Sequence, residues 1–446
     1  MPKRNVILFV ATLLVGLVAL AARERSGHAQ RFGEVLGAIE RGYFQPVTGE
    51  RLFDAAVEGA VATLDENSAY LRDAGRDELE AALDQRFGGI GLELAVDEAT
   101  AQLVVVTPVF RSPAWRAGIT AGDRITAIDG EPTQGQPLRD SVQRLRGRVG
   151  EPVSLTVLPA LPRSETLDPG AAAPAVAARE ATLVRELVEV ESVQGDRRRA
   201  DGSWDWMLEG EPGVAYVRIA SFGERTAAEF SAAVEAIAGA ATLRGLVLDL
   251  RDNPGGLLQA AVEVCDVLLD EGVIVATRGR DAGASGGDER RAAAGEMLAG
   301  VPVAVLVDGL SASAAEIVAA CLQDTGRATI VGSRTFGKGT VQTLLPLSDG
   351  RGLLKLTTAE YLRPSRAPIH RRPGAGDDEA WGVMPEEGFE VTPTAEAAER
   401  LRTWQRRRDT ALPPGATAAA AASRGPTPRA IDAVLAKALD AFADAE

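Results

Sequence analysis

The sequence has few of the residues on which the commonest catalytic and metal sites depend. Its 446 residues include only two cysteines, Cys265 and Cys321, and two histidines, His28 and His370. Both cysteines lie in apolar runs, which is typical of small buried hydrophobic residues. Because there is no Cys-x-x-Cys pair and no histidine cluster, we expect no structural zinc site, no other metal and no cofactor. A Ser-His-Asp triad is implausible because so few histidines are available to it.

Basic residues are outnumbered, and lysine is the rarest of them. The chain has 48 lysines and arginines against 63 acidic residues, a net charge of −15, so nucleic acid is not expected as a partner. Only four of the 48 basic residues are lysines: Lys3, Lys338, Lys355 and Lys437. Since the sequence otherwise uses arginine for positive charge, the lysine inside GSRTFGKG, residues 332–339, indicates a specific chemical role.

One long apolar run is present, at the start of the chain. Met-Pro-Lys-Arg precedes an apolar stretch from Val6 to Ala22, which is about as long as a short membrane span. A basic flank before such a run is typical of a cleaved signal peptide or of an uncleaved anchor, and we assign residues 1–30 to it. In both cases the rest of the chain is exported. We therefore expect a periplasmic protein, or one anchored in the inner membrane and facing the periplasm.

Hydrophobic periodicity divides the rest of the chain into four parts. Apolar residues recur at helical spacing in residues 31–84, and short strands separated by turns follow in residues 85–160. Strands and helices alternate in residues 161–400, which predicts an α/β core. Residues 401–446 form an Ala/Pro-rich linker and a short helix. The expected fold class is a multidomain α/β protein.

The glycine-rich turn around Lys338 permits three interpretations. The spacing of Gly332, Gly337 and Lys338 resembles a phosphate-binding loop, but Gly339 stands where Ser or Thr must reach magnesium, and the segment after it reads as a strand. Alternatively, a neutral lysine amine can take a proton from a serine hydroxyl, which arginine cannot do. Phe336 and the apolar strand that follows are then expected to shield the amine from water. The third interpretation is a solvated surface lysine in a hairpin.

The candidate nucleophiles lie in DGLSASAAEIVAACLQD, residues 308–324, where a buried strand ends and a helix begins. A serine at a helix N-terminus has backbone N–H groups beside it that stabilise developing negative charge. The spacing Ser313-x-x-Glu316 is also that of a capping box, so Ser313 either caps the helix or acts as the nucleophile. Ser311 is a rival for both roles.

Two further glycine turns are candidates for binding oxygen atoms. DLRDNPGGLL turns through Gly255 and Gly256, whose N–H groups either complete an oxyanion hole or belong to an ordinary strand-to-helix turn. In FGGIGLEL, residues 87–94, a glycine-rich loop precedes a strand. Such a loop can capture the terminal carboxylate of a peptide, while the edge of the adjacent strand adds that peptide as an extra strand.

Taken together, these motifs resemble the carboxyl-terminal processing proteases, also called tail-specific proteases. The resemblance covers about residues 32–395, and SPAWRAGITAGDRITAIDG within it is similar to a PDZ domain. It implies a β-barrel-like PDZ domain over residues 85–160 and a crotonase-like ββα catalytic core over residues 161–400. The motifs that carry it are FGGIGLEL, VAYVRIASF, GLVLDLRDNPGG, SASAAEIVAACLQD and GSRTFGKGTVQ.

The resemblance also implies roles for individual residues. Ser313 is the implied nucleophile, Lys338 the general base, and Gln342 the residue that orients the lysine. The amide of Ala314 and one amide of the Gly255–Gly256 turn form the implied oxyanion hole. The implied PDZ carboxylate-binding loop consists of Gly89, Ile90, Gly91 and Leu92.

We therefore expect an exported serine endopeptidase. A protein with an apolar C-terminal tail docks on the PDZ domain, and a peptide bond upstream of the tail is hydrolysed by the Ser-Lys site. A homodimer or an accessory adaptor is a further expected partner. The alternative is a catalytically silent PDZ scaffold that binds protein C-termini in the cell envelope, for which Ser313→Ala would have no biological effect.

Overall fold

A computed structural model describes residues 27–160, 177–240, 242–280, 287–347, 352–410 and 426–445. Within those residues, no helix is both long enough and apolar enough to cross a membrane. The predicted leader or anchor lies outside them except for residues 27–30. Contacts divide the chain into two compact units: the first is Met1–Arg76 with Gln342–Thr357, and the second is Asp77–Val341 with Thr358–Glu446.

The first unit contains helices and paired strands. Its elements are α1, residues 27–42, α2, Gly49–Val61, and β1, Ala69–Arg72. The hydroxyl of Thr48 accepts the amide of Arg51 at 3.3 Å and so caps α2. β1 pairs antiparallel with residues 352–355. The predicted helical character of residues 31–84 is therefore interrupted by one strand.

Helix α3, Asp73–Asp84, leads into the second unit, which begins with an antiparallel β-domain. The elements that follow are β2, Arg86–Gly89, β3, Leu92–Asp97, β4, Gln102–Pro108, α4, Pro113–Arg116, β5, Arg124–Ile128, β6, Glu131–Pro132, α5, Leu138–Leu145, β7, Pro152–Leu158, β8, Arg179–Val184, and β9, Glu186–Glu189. The main sheet has the order β3-β4-β5-β7-β8, with β6 on β5, and β2 pairs separately with β9. Alternate residues such as Val153, Leu155 and Val157 are buried, as expected for strands with one face on a core. The sheet continues in β8, beyond residue 160.

A five-stranded, mostly parallel sheet forms the centre of the second unit. The helices and strands of this part of the chain, in order, are β10, Val193–Gln194, β11, Arg197–Arg198, β12, Trp204–Asp205, β13, Val214–Ile219, α6, Thr226–Ala238, β14, Gly245–Asp249, α7, Leu258–Val267, β15, Val273–Gly279, β16, Glu289–Arg291, β17, Val303–Val307, α8, Ala314–Asp324, and β18, Ala328–Gly332. The sheet order is β10-β13-β14-β17-β18, and only β10 is antiparallel. Every residue of β14 and β17 is buried, which is typical of parallel strands covered on both faces.

Helices cover both faces of this sheet. Phe230 of α6, Val264 of α7 and Val318 of α8 pack with alternate strand residues on one face. The other face is covered by the C-terminal segment, which includes Leu435 and Phe442. That segment consists of α10, Pro428–Ile431, α11, Ala433–Ala438, and a 3₁₀ helix, Leu439–Ala445, after the preceding helix α9, Ala395–Asp409.

Strand β15 differs from the predicted alternation. The sequence pattern places it after α7 as the next strand of the α/β core, but it pairs antiparallel with β16 and with residues 359–362 of β20, Gly352–Leu362. The reason lies in the sheet order: both sides of β14 are occupied, by β13 and β17. The remaining strand, β19, Thr340–Pro346, follows the lysine turn and also pairs with β20.

Candidate active site

Ser313 lies at the N-terminus of α8, directly after the loop that leaves buried strand β17. Its backbone has φ +55° and ψ −114°, a conformation that a non-glycine residue adopts only when its surroundings impose it. The residue is buried, and Ala314 begins the helix beside it. The hydroxyl and the first helical amide therefore occupy the same small region, as nucleophilic attack and oxyanion stabilisation require.

The rival serine, Ser311, has a structural position. It is completely buried, and its hydroxyl donates to the carbonyl oxygen of Leu250 at 2.8 Å. The same oxygen accepts the amide of Asp308 at 2.9 Å. These bonds hold the loop before α8 against the end of β14. Because its hydroxyl is committed to the backbone, Ser311 is the weaker candidate for the nucleophile.

The lysine turn is held closely by a neighbouring segment. Gly337 has φ +88°, and a Cβ there would lie 2.9 Å from the ring of Trp381. A Cβ on Gly339 would collide with the backbone nitrogen of His370. Both glycines are needed because side chains pack directly on Gly337 and backbone packs directly on Gly339. The segment after Lys338 is strand β19 rather than a helix, which argues against the phosphate-loop interpretation.

Glu316 connects the serine and lysine segments. Its side chain is completely buried, and both carboxylate oxygens accept two hydrogen bonds each. Oε2 accepts the amides of Ser313 at 2.9 Å and Lys338 at 2.8 Å. Oε1 accepts the amide of Gly337 at 2.7 Å and the hydroxyl of Thr335 at 2.6 Å. One carboxylate therefore fixes the backbone at both candidate catalytic positions.

The sequence pointed only to a local role for Glu316, as the fourth residue of a capping box. The structure contains that local bond, to the amide of Ser313, but the other three bonds go to residues 335–338. Burial raises the pKa of the Glu316 carboxyl, and the hydrogen bonds oppose this rise without cancelling it. The ionised form fits the site, because a carboxylate accepts all four bonds and donates none.

The turn of DLRDNPGGLL lies against the nucleophile segment. A Cβ on Gly255 would lie 2.7 Å from Cβ of Ser313 and 2.9 Å from the amide nitrogen of Ala314. The carbonyl oxygen of Asn253 accepts the amide of Ala312 at 2.9 Å. Because the amide of Gly255 donates to Oδ1 of Asn253 at 2.8 Å, Gly256 is the better candidate of the two for an oxyanion donor.

Two expectations about the surroundings of Lys338 have different outcomes. The expected shielding by Phe336 is wrong, since that side chain is 50% exposed, and Leu344 and Leu345 of the following strand are 37% and 40% exposed. Phe336 adjoins the turn whose backbone is held by Glu316, and its side chain lies outward. Gln342 lies in β19 and donates to Oγ1 of Thr357 at 3.3 Å within the first unit. Its orienting role stays a prediction.

The candidate carboxylate-binding loop connects β2 to β3. Gly89 pairs with Glu186 in the β2–β9 ladder, while Ile90 is buried and its carbonyl accepts the amide of Ala114 at 3.0 Å. Gly91 has φ +75°, in the left-handed region that favours glycine. Leu92 begins β3, whose only ladder partner in the described part of the chain is β4.

Ile90, Gly91 and Leu92 of this loop line a cleft of about 1350 Å³. Its lining includes Leu92 of β3 and Val142 and Arg146 at α5. The Arg146 guanidinium lies 5.2 Å from the centre of the Phe87 ring. Asp252 and Asp308, which flank the segments that carry the candidate oxyanion turn and Ser313, also line the cleft. Sequence reasoning missed Arg146, although its place next to the apolar residues of α5 is visible in the pattern.

Family profiles match both the antiparallel β-domain and the α/β core that carries Ser313. The sequence profile of peptidase family S41 matches residues 213–381, and that of a PDZ domain matches residues 104–159.

Several relatives are similar over most of the chain. The carboxy-terminal-processing protease of Bartonella bacilliformis is 34% identical over 405 residues, which cover 87% of this chain and 86% of the relative. The carboxy-terminal processing protease CtpB of Bacillus subtilis is 30% identical over 366 residues, 81% of this chain and 69% of the relative. The solved structure of a photosystem II D1 C-terminal processing protease matches at 28% identity and a TM-score of 0.44, covering 86% of this chain and 97% of that one. This chain belongs to the carboxy-terminal processing protease family of serine peptidases.

Proposed function

We propose that this protein is an exported endopeptidase that binds the apolar C-terminal tail of another protein on its PDZ domain and hydrolyses a peptide bond upstream of that tail. Ser313 is the nucleophile and Lys338 the general base. The observation that carries the proposal is the shared contact with Glu316, whose Oε2 accepts the backbone amides of both residues. A pair of groups that must exchange a proton needs such fixed geometry.

The first chemical step joins Oγ of Ser313 to the carbonyl carbon of the scissile bond. The hydroxyl proton passes to Nζ of Lys338, which must be uncharged to accept it. The carbonyl π electrons move onto oxygen, and the resulting oxyanion accepts hydrogen bonds from the amides of Ala314 and Gly256. The arrangement supports this step because Gly255 packs directly against the residues at 313 and 314.

The second step breaks the carbon–nitrogen bond. The leaving amine takes the proton from the Lys338 ammonium, and an acyl-enzyme ester on Ser313 remains. A water molecule then attacks the ester carbon while Lys338 accepts its proton, and the ester bond breaks as the serine hydroxyl is restored. Lys338 carries every transferred proton, so the reaction requires no further proton carrier.

Tail recognition uses the edge of β3. A peptide laid along this edge adds a strand to the sheet, its apolar side chains face Leu92 and Val142, and its terminal carboxylate lies at Gly91 with Arg146 beside it. A guanidinium beside a carboxylate adds charge-assisted hydrogen bonds. Asp252 and Asp308 line the same cleft, which supports a path for the substrate chain from the PDZ groove towards the nucleophile segment.

Export and assembly are part of the same proposal. The basic start and the apolar run from Val6 to Ala22 support export to the periplasm, with or without an inner-membrane anchor. Fractionation of cells expressing the tagged chain tests it, and a purely cytoplasmic distribution would overturn it. The apolar side chains of Phe32, Val35 and Tyr43 are 45%, 55% and 53% exposed in the first unit and support a homodimer. A monomeric mass in light scattering at micromolar concentration would leave an accessory adaptor as the expected partner.

The activity is tested with an unstructured protein that carries an apolar tail. Ser313→Ala and Lys338→Arg are each expected to abolish cleavage, since the first removes the nucleophile and the second keeps the charge but loses the base. Mass spectrometry of the products measures the result, and Lys437→Arg is the matched surface control. Cleavage that survives Lys338→Arg would remove Lys338 from the mechanism. Tail binding without cleavage by the unaltered protein would favour the scaffold alternative.

A further inference from the structure

The C-terminal segment, residues 426–445, is part of the catalytic core. Val434, Leu435 and Phe442 are almost completely buried against the face of the central sheet that includes Val247 and Leu306. Burial of this many apolar side chains holds the segment firmly on the sheet. Although the segment is last in sequence, it therefore belongs to the folded body that carries the active site.

An ion pair joins this segment to the motif that contains the candidate oxyanion turn. Nη1 of Arg251 donates to Oδ1 of Asp432 at 2.9 Å, and Nη2 donates to Oδ2 at 2.7 Å. The same guanidinium donates to Asp249 from Nε at 2.9 Å and from Nη2 at 2.6 Å. All three residues are at most 9% exposed. A buried guanidinium with two bidentate partners has a fixed position, because leaving either partner unpaired is costly.

Arg251 immediately precedes a strained turn. Asp252 has φ +57°, a left-handed conformation that is unfavourable for a residue with a Cβ. Asn253 follows, completely buried, with its amide group donating to the carbonyl of Ile219 at 2.7 Å. Gly256 ends the turn. A turn in such a conformation persists only where both of its ends are held, and the Arg251 side chain holds the end nearer to β14.

We propose that Asp432 is a positioning residue for catalysis: through Arg251 it fixes the turn that presents the amide of Gly256 to the substrate oxygen. The inference rests on the proposed function, since it concerns the oxyanion hole of that reaction. An oxyanion donor must be placed to within a few tenths of an ångström, so relaxation of the turn lowers the rate of acylation more than it affects tail binding. The PDZ groove is formed by other residues.

Asp432 also caps a helix, and the test must separate the two roles. Its Oδ1 accepts the amides of Val434 and Leu435 at 3.1 and 3.0 Å. Asp432→Asn keeps an oxygen for this cap, because asparagine is as good a capping residue as aspartate. The variant nevertheless loses the charge and turns an NH₂ group towards Nη2 of Arg251, where two donors face each other.

The experiment measures kcat and KM of the full-length protein with a tailed model protein, and the dissociation constant of the tail peptide. Asp432→Asn is expected to lower kcat about tenfold, with KM and tail binding unchanged. The number of reactive serines, titrated to its endpoint with a fluorophosphonate, should equal that of the unaltered protein. Asp432→Glu keeps the charge and is expected to retain an intermediate kcat; it decides the question if Asp432→Asn does not fold. Asp440→Asn, which alters an exposed pair with Lys437 in the same segment, should change nothing.

Two outcomes would overturn the inference while the proposed function stands. One is a kcat within twofold of the unaltered value in Asp432→Asn. The other is a loss of activity matched by an equal loss of titratable serines in both Asp432 variants, which means that the residue only supports folding. If the unaltered protein cleaves no tailed substrate, the proposed function itself fails, and this inference fails with it.

Discussion

The amide of Lys338 donates to Oε2 of Glu316 at 2.8 Å, and the same oxygen accepts the amide of Ser313. Ser313 directly precedes helix α8 and Lys338 lies between strands β18 and β19, so these positions meet only in the folded protein. The carboxylate between them has no exposed surface. Its four hydrogen bonds explain how a turn rich in glycine can hold a lysine in one place, since the backbone of the turn is bonded to a buried group.

Replacement of Glu316 should damage both stability and catalysis. Glu316→Gln puts an NH₂ group where a carboxylate oxygen accepts two N–H donors, so some buried amides lose their acceptor. We expect a loss of about 3 kcal/mol in the free energy of unfolding and a fall in kcat/KM of at least about 100-fold. Urea unfolding and cleavage of a tailed substrate measure the two effects. Glu263→Gln, on an exposed face of α7, is the matched control.

Cleavage should rise with pH. If Lys338 is the general base of the proposed mechanism, it accepts the serine proton only when its amine is uncharged, so kcat/KM falls as the amine becomes protonated at lower pH. The measurement is the pH profile of kcat/KM with one tailed substrate at constant ionic strength, over a range in which circular dichroism shows no unfolding. A profile that is flat from about pH 6 to about pH 9 would contradict the general-base role.

Gly255 should not tolerate a side chain. In Gly255→Ala the new Cβ lies 2.7 Å from both the carbonyl oxygen of Ala312 and Cβ of Ser313, so the turn or the nucleophile must move. We expect kcat to fall by about 100-fold or more. Gly272→Ala is the control for conformation alone, because its φ is +111° and the nearest other atom is 4.0 Å away; it should cost about 1 kcal/mol and leave kcat unchanged. Equal kinetics of the two variants would show that the contact with Ser313 is not required.

Arg146 should distinguish a free C-terminus from a blocked one. Removal of its guanidinium in Arg146→Ala is expected to weaken binding of an apolar tail peptide about tenfold, because a charge-assisted hydrogen bond to the terminal carboxylate is lost. The C-terminal amide of the same peptide should bind the variant and the unaltered protein equally. Calorimetry measures both. Arg139→Ala, at an exposed position on α5, should bind the free acid normally, and weak binding there would indicate a general charge effect.

The ion network around Arg251 should make the fold sensitive to acid. Burial by itself would raise the pKa of Asp249, but the charge and hydrogen bonds of Arg251 outweigh burial and lower it below its ordinary 3.8. A lowered carboxyl pKa stabilises the fold above 3.8, and that stability is lost as the pH falls through the folded value. Urea unfolding between about pH 5 and about pH 2 should therefore show a steeper loss for the unaltered protein than for Asp249→Asn.

The Glu316 carboxyl should contribute to the pH dependence of the unfolding free energy with the opposite sign. Its pKa is raised above the ordinary 4.5 by burial, so the folded state holds this proton more tightly than the unfolded chain, and its contribution to stability falls as the pH rises from 4.5 to the folded value. Glu316→Gln removes this dependence. If Asp249→Asn and Glu316→Gln change the slope of the unfolding free energy against pH in the same direction, the pKa directions assigned to the two carboxyls are wrong.

Much of the candidate site is visible in the sequence because its parts are local. A serine at a strand-to-helix junction, a lysine between two glycines and the turn at Gly255 and Gly256 each depend on a few neighbouring residues. The strands and helices of the central sheet are equally local, since their periodicity is set by burial on one or two faces. The position of β15 is not, because it depends on which strands already occupy the sides of β14.

Exposure was harder to predict than secondary structure. Phe336 is apolar and adjoins the lysine turn, yet half of its surface faces solvent, because the backbone bonds to Glu316 decide which way the turn faces. In the same way, the proposed role of Arg146 depends on the packing of α5 beside β3. The Asp432–Arg251 ion pair forms only because the C-terminal segment packs on the sheet. Each of these contacts joins residues that are far apart in sequence.

The amino-acid sequence by itself determined the chemistry available to this protein: almost no histidine or cysteine, one lysine where arginine would otherwise stand, and a serine where a helix starts. The tertiary structure alone decided that a buried carboxylate binds the backbone at both positions, and that Asp432 in the C-terminal segment pairs with Arg251 next to the oxyanion turn. The physical reason is that residue type and short-range spacing set what a group can do, whereas burial and hydrogen bonds between distant segments arise only when the core packs.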